Sequence, residues 1–335
     1  MTVSVLPASP AFNVFSLITC EDVKAHLALL RDFHDIRKGA SDDTWQKRVA
    51  DSVTKFQTWA RQVQPIENPP ISVDLDILMV WHTYLLNPVK YQHDVARLYP
   101  GLLQLDFADV VLRMARGSLT PQAGSQANQT APPPKASATA ELSDLEAAVQ
   151  RQASFIDKVA RLGWGDKATD EFLTNCIHRY GCFLDLMKTG TVHSLVPTLL
   201  IDLAWHTHQL RGSRYCKEAK ELLGHVLNHD DSIPETQLSR SFDETNAAWQ
   251  ARFGTTYLAK RSFAVPGDTT DVDGSSACGG GCNGECGSCG TVKRGSCSPG
   301  ECGECESRLS ETLLGAAGCG GWLQWRVWFL WYTCM

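Results

Sequence analysis

An all-α fold is predicted by three features of the 335-residue sequence. Apolar residues recur every three or four positions through most of residues 16–255, as amphipathic helices require. Alternating apolar and polar runs, the mark of half-buried strands, are nearly absent. A Trp-His-Thr phrase occurs twice, at Trp81-His82-Thr83 and Trp205-His206-Thr207, 124 residues apart, with a Tyr ten residues after each Trp (Tyr91 and Tyr215). Such a repeat reads as an internal duplication. The prediction is two related helical lobes, residues 16–116 and 141–255, joined by a linker and followed by a disordered Cys/Gly-rich tail at 266–335.

Thr19-Cys20-Glu21-Asp22 is a helix start, with Val23, Leu27 and Leu30 on one face and Gly39 ending the pattern. Trp45, Val49, Val53, Phe56, Trp59 and Val63 make a stripe that Pro65 stops. The first Trp-His-Thr block reads as a buried helix over 76–86, and Pro88 suits the first turn of the next, which runs to Leu98. An amphipathic segment over 107–116 closes this half. Residues 117–140 lack periodicity and contain Pro132-Pro133-Pro134, so they read as a flexible linker or long surface loop. Ser143 with Glu146 forms a capping box for the following helix, and Phe172, Cys176, Phe183 and Met187 mark another that ends near Gly190. In the second block, periodicity leaves the apolar run 199–203 open between helix and strand. Helices are then expected over 213–228 and 242–253.

Thirty-one basic against thirty-seven acidic residues give a net charge of −6, which disfavours nucleic acid as the main partner because phosphate needs a basic face. The first twenty residues carry no charged side chain and are interrupted by Pro7, Pro10 and Asn13, unlike a secretory leader. A cytoplasmic location is expected, where structural disulfides are rare, and helical cysteines such as Cys176 read as buried apolar fillers. The fourteen residues from Trp322 are too few to span a bilayer and include Arg326, so no transmembrane helix is expected.

The paired phrases, the extended form Trp205-His206-Thr207-His208-Gln209-Leu210 and the later His229-Asp230-Asp231 resemble the glycine-rich domain-containing protein family over residues 16–253. The resemblance implies a largely helical, intracellular protein whose tail is rich in glycine and, in many fungal members, cysteine. It implies no defined mechanism.

On a helix, Asp202 and His206 share a face while His208 points elsewhere; on a strand, His206 would pair with His208. His225 and His229 are four apart, with Asp230 and Asp231 beside them. Asp202, His206, His208, His229 and Asp230 are therefore the candidate core ligands for zinc or iron. In the competing reading the imidazoles are core residues, as Trp81, His82, Tyr91, Trp205 and Tyr215 are; the first block has Leu78 where the second has Asp202. His229-x-Asp231 fits the start of an oxygenase facial triad, but no histidine follows His229 to complete it. In the tail, Cys286-x2-Cys289 and Cys302-x2-Cys305 have the spacing of a four-thiolate zinc site. Against a folded knuckle there, Val292 is the sole larger apolar residue between the pairs, as in a low-complexity tail. No Gly-x-Ser-x-Gly elbow or phosphate-binding loop is present.

The sequence thus predicts a cytosolic helical binding or scaffolding protein with protein partners, no assigned catalytic residue, and zinc as the cofactor its Cys-rich tail suits. A metal-dependent enzyme, hydrolase or oxygenase, using the second-lobe cluster is the alternative. A second alternative is RNA association through the glycine-rich tail, since some family members carry RNA-binding parts. Against it stand the absence of Arg-Gly repeats and of an aromatic RNP pattern.

Overall fold

The computed structural model describes residues 9–63, 74–119, 137–190, 195–229 and 235–258, and among them there are helices and turns but no strand. α1 (Cys20–Arg37) starts where Thr19 and Asp22 close a reciprocal capping box. The Asp22 N–H donates to Thr19 Oγ1 at 3.2 Å and the Thr19 N–H to Asp22 Oδ2 at 2.7 Å, which satisfies two donors that a helix start leaves unpaired. α2 (Asp42–Gln62) is capped by Ser41 and opens with Asp42 and Asp43, acidic residues suited to the positive end of the helix dipole. α3 (Leu75–Leu85) carries the first Trp-His-Thr block behind an Asp74 cap. In α4 (Pro88–Leu98) the proline occupies the first turn, where its missing N–H costs nothing. α5 (Phe107–Ala115) follows a short 3-10 turn, Pro100–Gln104.

The remaining helices are α6 (Ser137–Arg161), the short α7 (Trp164–Lys167), α8 (Asp170–Lys188), α9 (Leu199–Gln209), α10 (Ser213–Leu223) and α11 (Glu235–Phe253). The second block, undecided between helix and strand by pattern, is helix α9, capped by Thr198. Three boundaries differ from the sequence reading. α6 begins at Ser137, so Ser143 lies inside the helix and not at its start; Ala138, Ala140, Glu141 and Leu142 are strong helix formers that carry it upstream. α10 stops at Leu223 instead of running to 228, because Gly224 adopts φ 83°, a left-handed cap that glycine reaches without steric cost. α11 starts seven residues earlier than its apolar stripe suggested.

The halves interlock. α1 packs on α3 and α5 from its own half and on α6, α7, α8 and α9 from the other, while α6 lies against α1, α2 and α3. Val23, Leu27, Leu30 and Phe33 of α1 are all buried to 1% exposure or less. The segments read as two lobes therefore share one core, whose largest enclosed side chains include Trp81, Trp164, Trp205 and Trp249. Arg211, in the turn after α9, reaches back to Asp22 of the α1 capping box at 2.8 Å. No helix among the described residues is long and apolar enough to cross a membrane. The expected tail at 266–335, with Cys286, Cys289, Cys302 and Cys305, lies outside the described residues.

Candidate functional site

The two blocks repeat the same local bonds. The Trp81 indole N–H donates to the Tyr91 hydroxyl at 3.0 Å, and that of Trp205 to Tyr215 at 2.9 Å. Thr83 donates its hydroxyl proton to Met79 O at 3.0 Å and Thr207 to Leu203 O at 2.7 Å, each one turn back. Both indoles are fully enclosed. Burial pushes both phenols well above the ordinary tyrosine range, so they remain protonated, and the Tyr215 hydroxyl donates a hydrogen bond to Leu227 O at 2.6 Å.

The histidines are used differently. His82 Nε2 lies 2.9 Å from His26 Nε2, and His26 Nδ1 lies 2.9 Å from Thr207 Oγ1. Because Thr207 spends its only proton on Leu203 O, it accepts from His26 Nδ1–H, which leaves His26 Nε2 as an acceptor. His82 Nε2–H must then be the donor, and its Nδ1 is a buried acceptor with no partner among the described residues. Burial, reinforced by the neighbouring His82, holds His26 neutral; burial alone lowers His82 to about 3. A neutral chain thus runs from the first block through α1 to the second. Gln209 adds a second link, donating to Leu86 O at 3.4 Å.

Asp202 and His206 sit one turn apart on α9 and share a face, as helical spacing requires. His206 Nε2 is 3.0 Å from His229 Nε2, and Asp202 Oδ1 is 3.5 Å from the first and 3.6 Å from the second. His206 is buried, while Asp202 and His229 are partly exposed. Burial, then the neighbouring His229, keeps His206 well below the ordinary histidine range. Phe155 packs on His206 with centroids 4.5 Å apart, and Trp205 meets His229 edge-on at 5.2 Å.

His208 does not join them. Its Nδ1 bonds the Tyr180 hydroxyl at 2.9 Å and its Nε2 bonds Glu218 Oε2 at 2.8 Å, with Arg214 holding the other Glu218 oxygen at 2.8 Å. Burial lowers its pKa, with the Glu218 bond acting the other way. His225 turns to Leu223 O at 3.1 Å, and Asp230 lies outside the described residues. Among the described residues, the members of the predicted core set that come together are Asp202, His206 and His229. Sequence reasoning missed His26, whose one signal was an imidazole in the apolar run Ala25-His26-Leu27, and it missed Tyr180 and Glu218. Cys176, Cys182 and Cys216 are buried thiols; burial raises all three, Cys182 and Cys216 to about 12, so they stay protonated at neutral pH.

Fold and site together define an all-α protein assembled around two Trp-His-Thr helices joined by a buried imidazole relay. Residues 118–218 match the family model described as glycine-rich domain-containing protein-like. The chain is thus similar to glycine-rich domain-containing proteins over part of its length. It is 34% identical over 212 residues to glycine-rich domain-containing protein 2 of Arabidopsis thaliana, covering 56% of this chain and 26% of that protein. Glycine-rich domain-containing protein 1 of the same plant is 32% identical over 209 residues, covering 55% and 25%. The chain thus spans about a quarter of the length of these relatives. No solved structure matches it.

Proposed function

We propose that this chain is a cytoplasmic helical binding or scaffolding protein, whose paired blocks form an internal clamp and whose outer helical faces engage protein partners. The observation that carries the reading is where the signature residues are spent. Trp81, His82, Thr83, Trp205, His206, Thr207, His208 and Gln209 are all 4% exposed or less. All eight bond within the described body, His206 through its contact with His229. A signature turned inward specifies a rigid body, and recognition is then left to the surface. The matched Trp–Tyr and Thr–carbonyl bonds support reading α3–α4 and α9–α10 as copies of one unit. The fraction of the plant relatives covered supports a module that recurs inside longer chains.

Cross-linking the tagged full chain in extracts of its source, followed by mass spectrometry, tests the reading. Defined protein partners should be captured through surface residues, and Trp205→Ala should lose them only together with its fold. A chain that captures no protein above a tag-only control, while the metal-loaded form turns over a small molecule, would overturn it in favour of the enzyme alternative. The RNA alternative rests on the tail, outside the described residues.

A further inference from the structure

We propose that Asp202, His206 and His229 form a binding site for a first-row divalent transition cation such as zinc, beyond the scaffolding role of the blocks. The three donor atoms stand 3.0, 3.5 and 3.6 Å from one another. A tetrahedral ion with bonds of about 2.0–2.1 Å separates its donors by about 3.3–3.4 Å. The trio therefore already has the span of three vertices of such a polyhedron.

Hydrogen bonding alone does not satisfy this arrangement. With one proton on each imidazole, the Nε2–Nε2 contact uses the one that lies between the rings and leaves none at either Nε2 for the carboxylate. Asp202 Oδ1 is buried and has no hydrogen-bond partner among the described residues, and the same holds for His206 Nδ1. A buried, unpaired carboxylate oxygen is costly. A cation between the three donors turns the conflict into coordination: both Nε2 lone pairs and the carboxylate oxygen point at one positive charge, and the imidazole protons move to Nδ1. The His206 Nδ1 proton is then left without an acceptor among the described residues.

Placement of the ligands is structural rather than accidental. Asp202 and His206 project from one turn of α9. His229 arrives from the segment after α10, which the Tyr215–Leu227 bond pins two residues upstream. Phe155 and Trp205 pack on the two imidazoles, so little side-chain entropy remains to be lost on binding. The first block supplies an internal comparison: Leu78 stands in place of Asp202, and His82 is committed to His26. The chemistry of the set, two imidazoles and a carboxylate, suits zinc and iron(II) and not the soft cations that thiolates select. Asp202 and His206 fall within the family-model match, whereas His229 lies beyond its end at residue 218.

Cobalt(II) titration of the full-length chain tests the proposal, because nitrogen and oxygen ligands give visible d–d bands without the near-ultraviolet charge transfer of thiolates. The measurement uses the wild type and a variant in which Cys286, Cys289, Cys302 and Cys305 are all serine, so that tail binding is separated. Both should bind one cobalt ion per chain with the nitrogen and oxygen signature, and zinc should displace it. Asp202→Asn and His229→Gln, each at a partly exposed ligand, should weaken that site at least tenfold, the lower end of what loss of a mere supporting partner does. Their metal-free circular dichroism and melting temperature should stay within a few degrees of wild type. If the only cobalt signal is thiolate charge transfer that vanishes with the four serines, or if D202N and H229Q bind as tightly as wild type, the proposal is wrong. Should either variant fail to fold, zinc-dependent shifts of the His229 imidazole resonances in the wild type decide, and their absence overturns the site.

Discussion

At the residue scale, the two indoles carry the most weight. Trp81 and Trp205 are wholly enclosed, and each satisfies its N–H through a buried tyrosine. Replacing either with alanine leaves a cavity and removes the indole donor from a buried phenol, at a cost of about 3–5 kcal/mol. Urea unfolding of W81A and W205A should show that loss, and an unchanged midpoint for both would make the indoles surface residues. The relay through His26 and His82 sets a pH dependence. Unfolded histidine titrates near about 6.5, whereas folded His82 does so at about 3 and His26 also lies well below the ordinary value. Between these values the unfolded chain binds more protons, so stability is full above about pH 6.5 and falls as pH drops, by up to about 1.4 kcal/mol per pH unit for each such group. Unfolding free energies measured from pH 7.5 to 5 should decline, less steeply in His82→Gln. A flat profile over that window would contradict neutral burial.

At the element scale, most helices were legible because their signals are local. Thr19 with Asp22, Pro88 at the start of α4, and the three-four stripe of α2 are written in neighbouring residues. The split between Asp202–His206 and His208 followed from helical geometry once α9 was helix. What stayed illegible depends on partners distant in sequence. His26 meets Thr207 across 181 residues and His208 meets Tyr180 across 28, and neither pairing leaves a mark in spacing. The overlong reading of α10 had its correction in plain view, since Gly224 takes the left-handed conformation that ends the helix. Gly224→Ala forces that conformation on a residue with a Cβ and should lower stability by about 1–2 kcal/mol with an unchanged urea slope. A variant as stable as wild type would show that the helix end lies elsewhere.

At the scale of the molecule, two repeats and a linker suggested separate lobes, but the described residues form one core with α1 and α6 shared between the halves. Sequence periodicity reports which face of a helix is buried and says nothing of which helix covers it, so interlocking was beyond its reach. The shared core, the His82–His26–Thr207 relay and the Gln209–Leu86 bond make the blocks a clamp, which is the central claim. Hydrogen–deuterium exchange of the W205A chain tests it most directly. If the blocks clamp one body, the substitution made in α9 should raise amide exchange in α1 and α3 as well as in α8–α10, with all of them opening together. Exchange that rises in α8–α10 while α1 and α3 keep wild-type protection would contradict the account and restore two independent lobes.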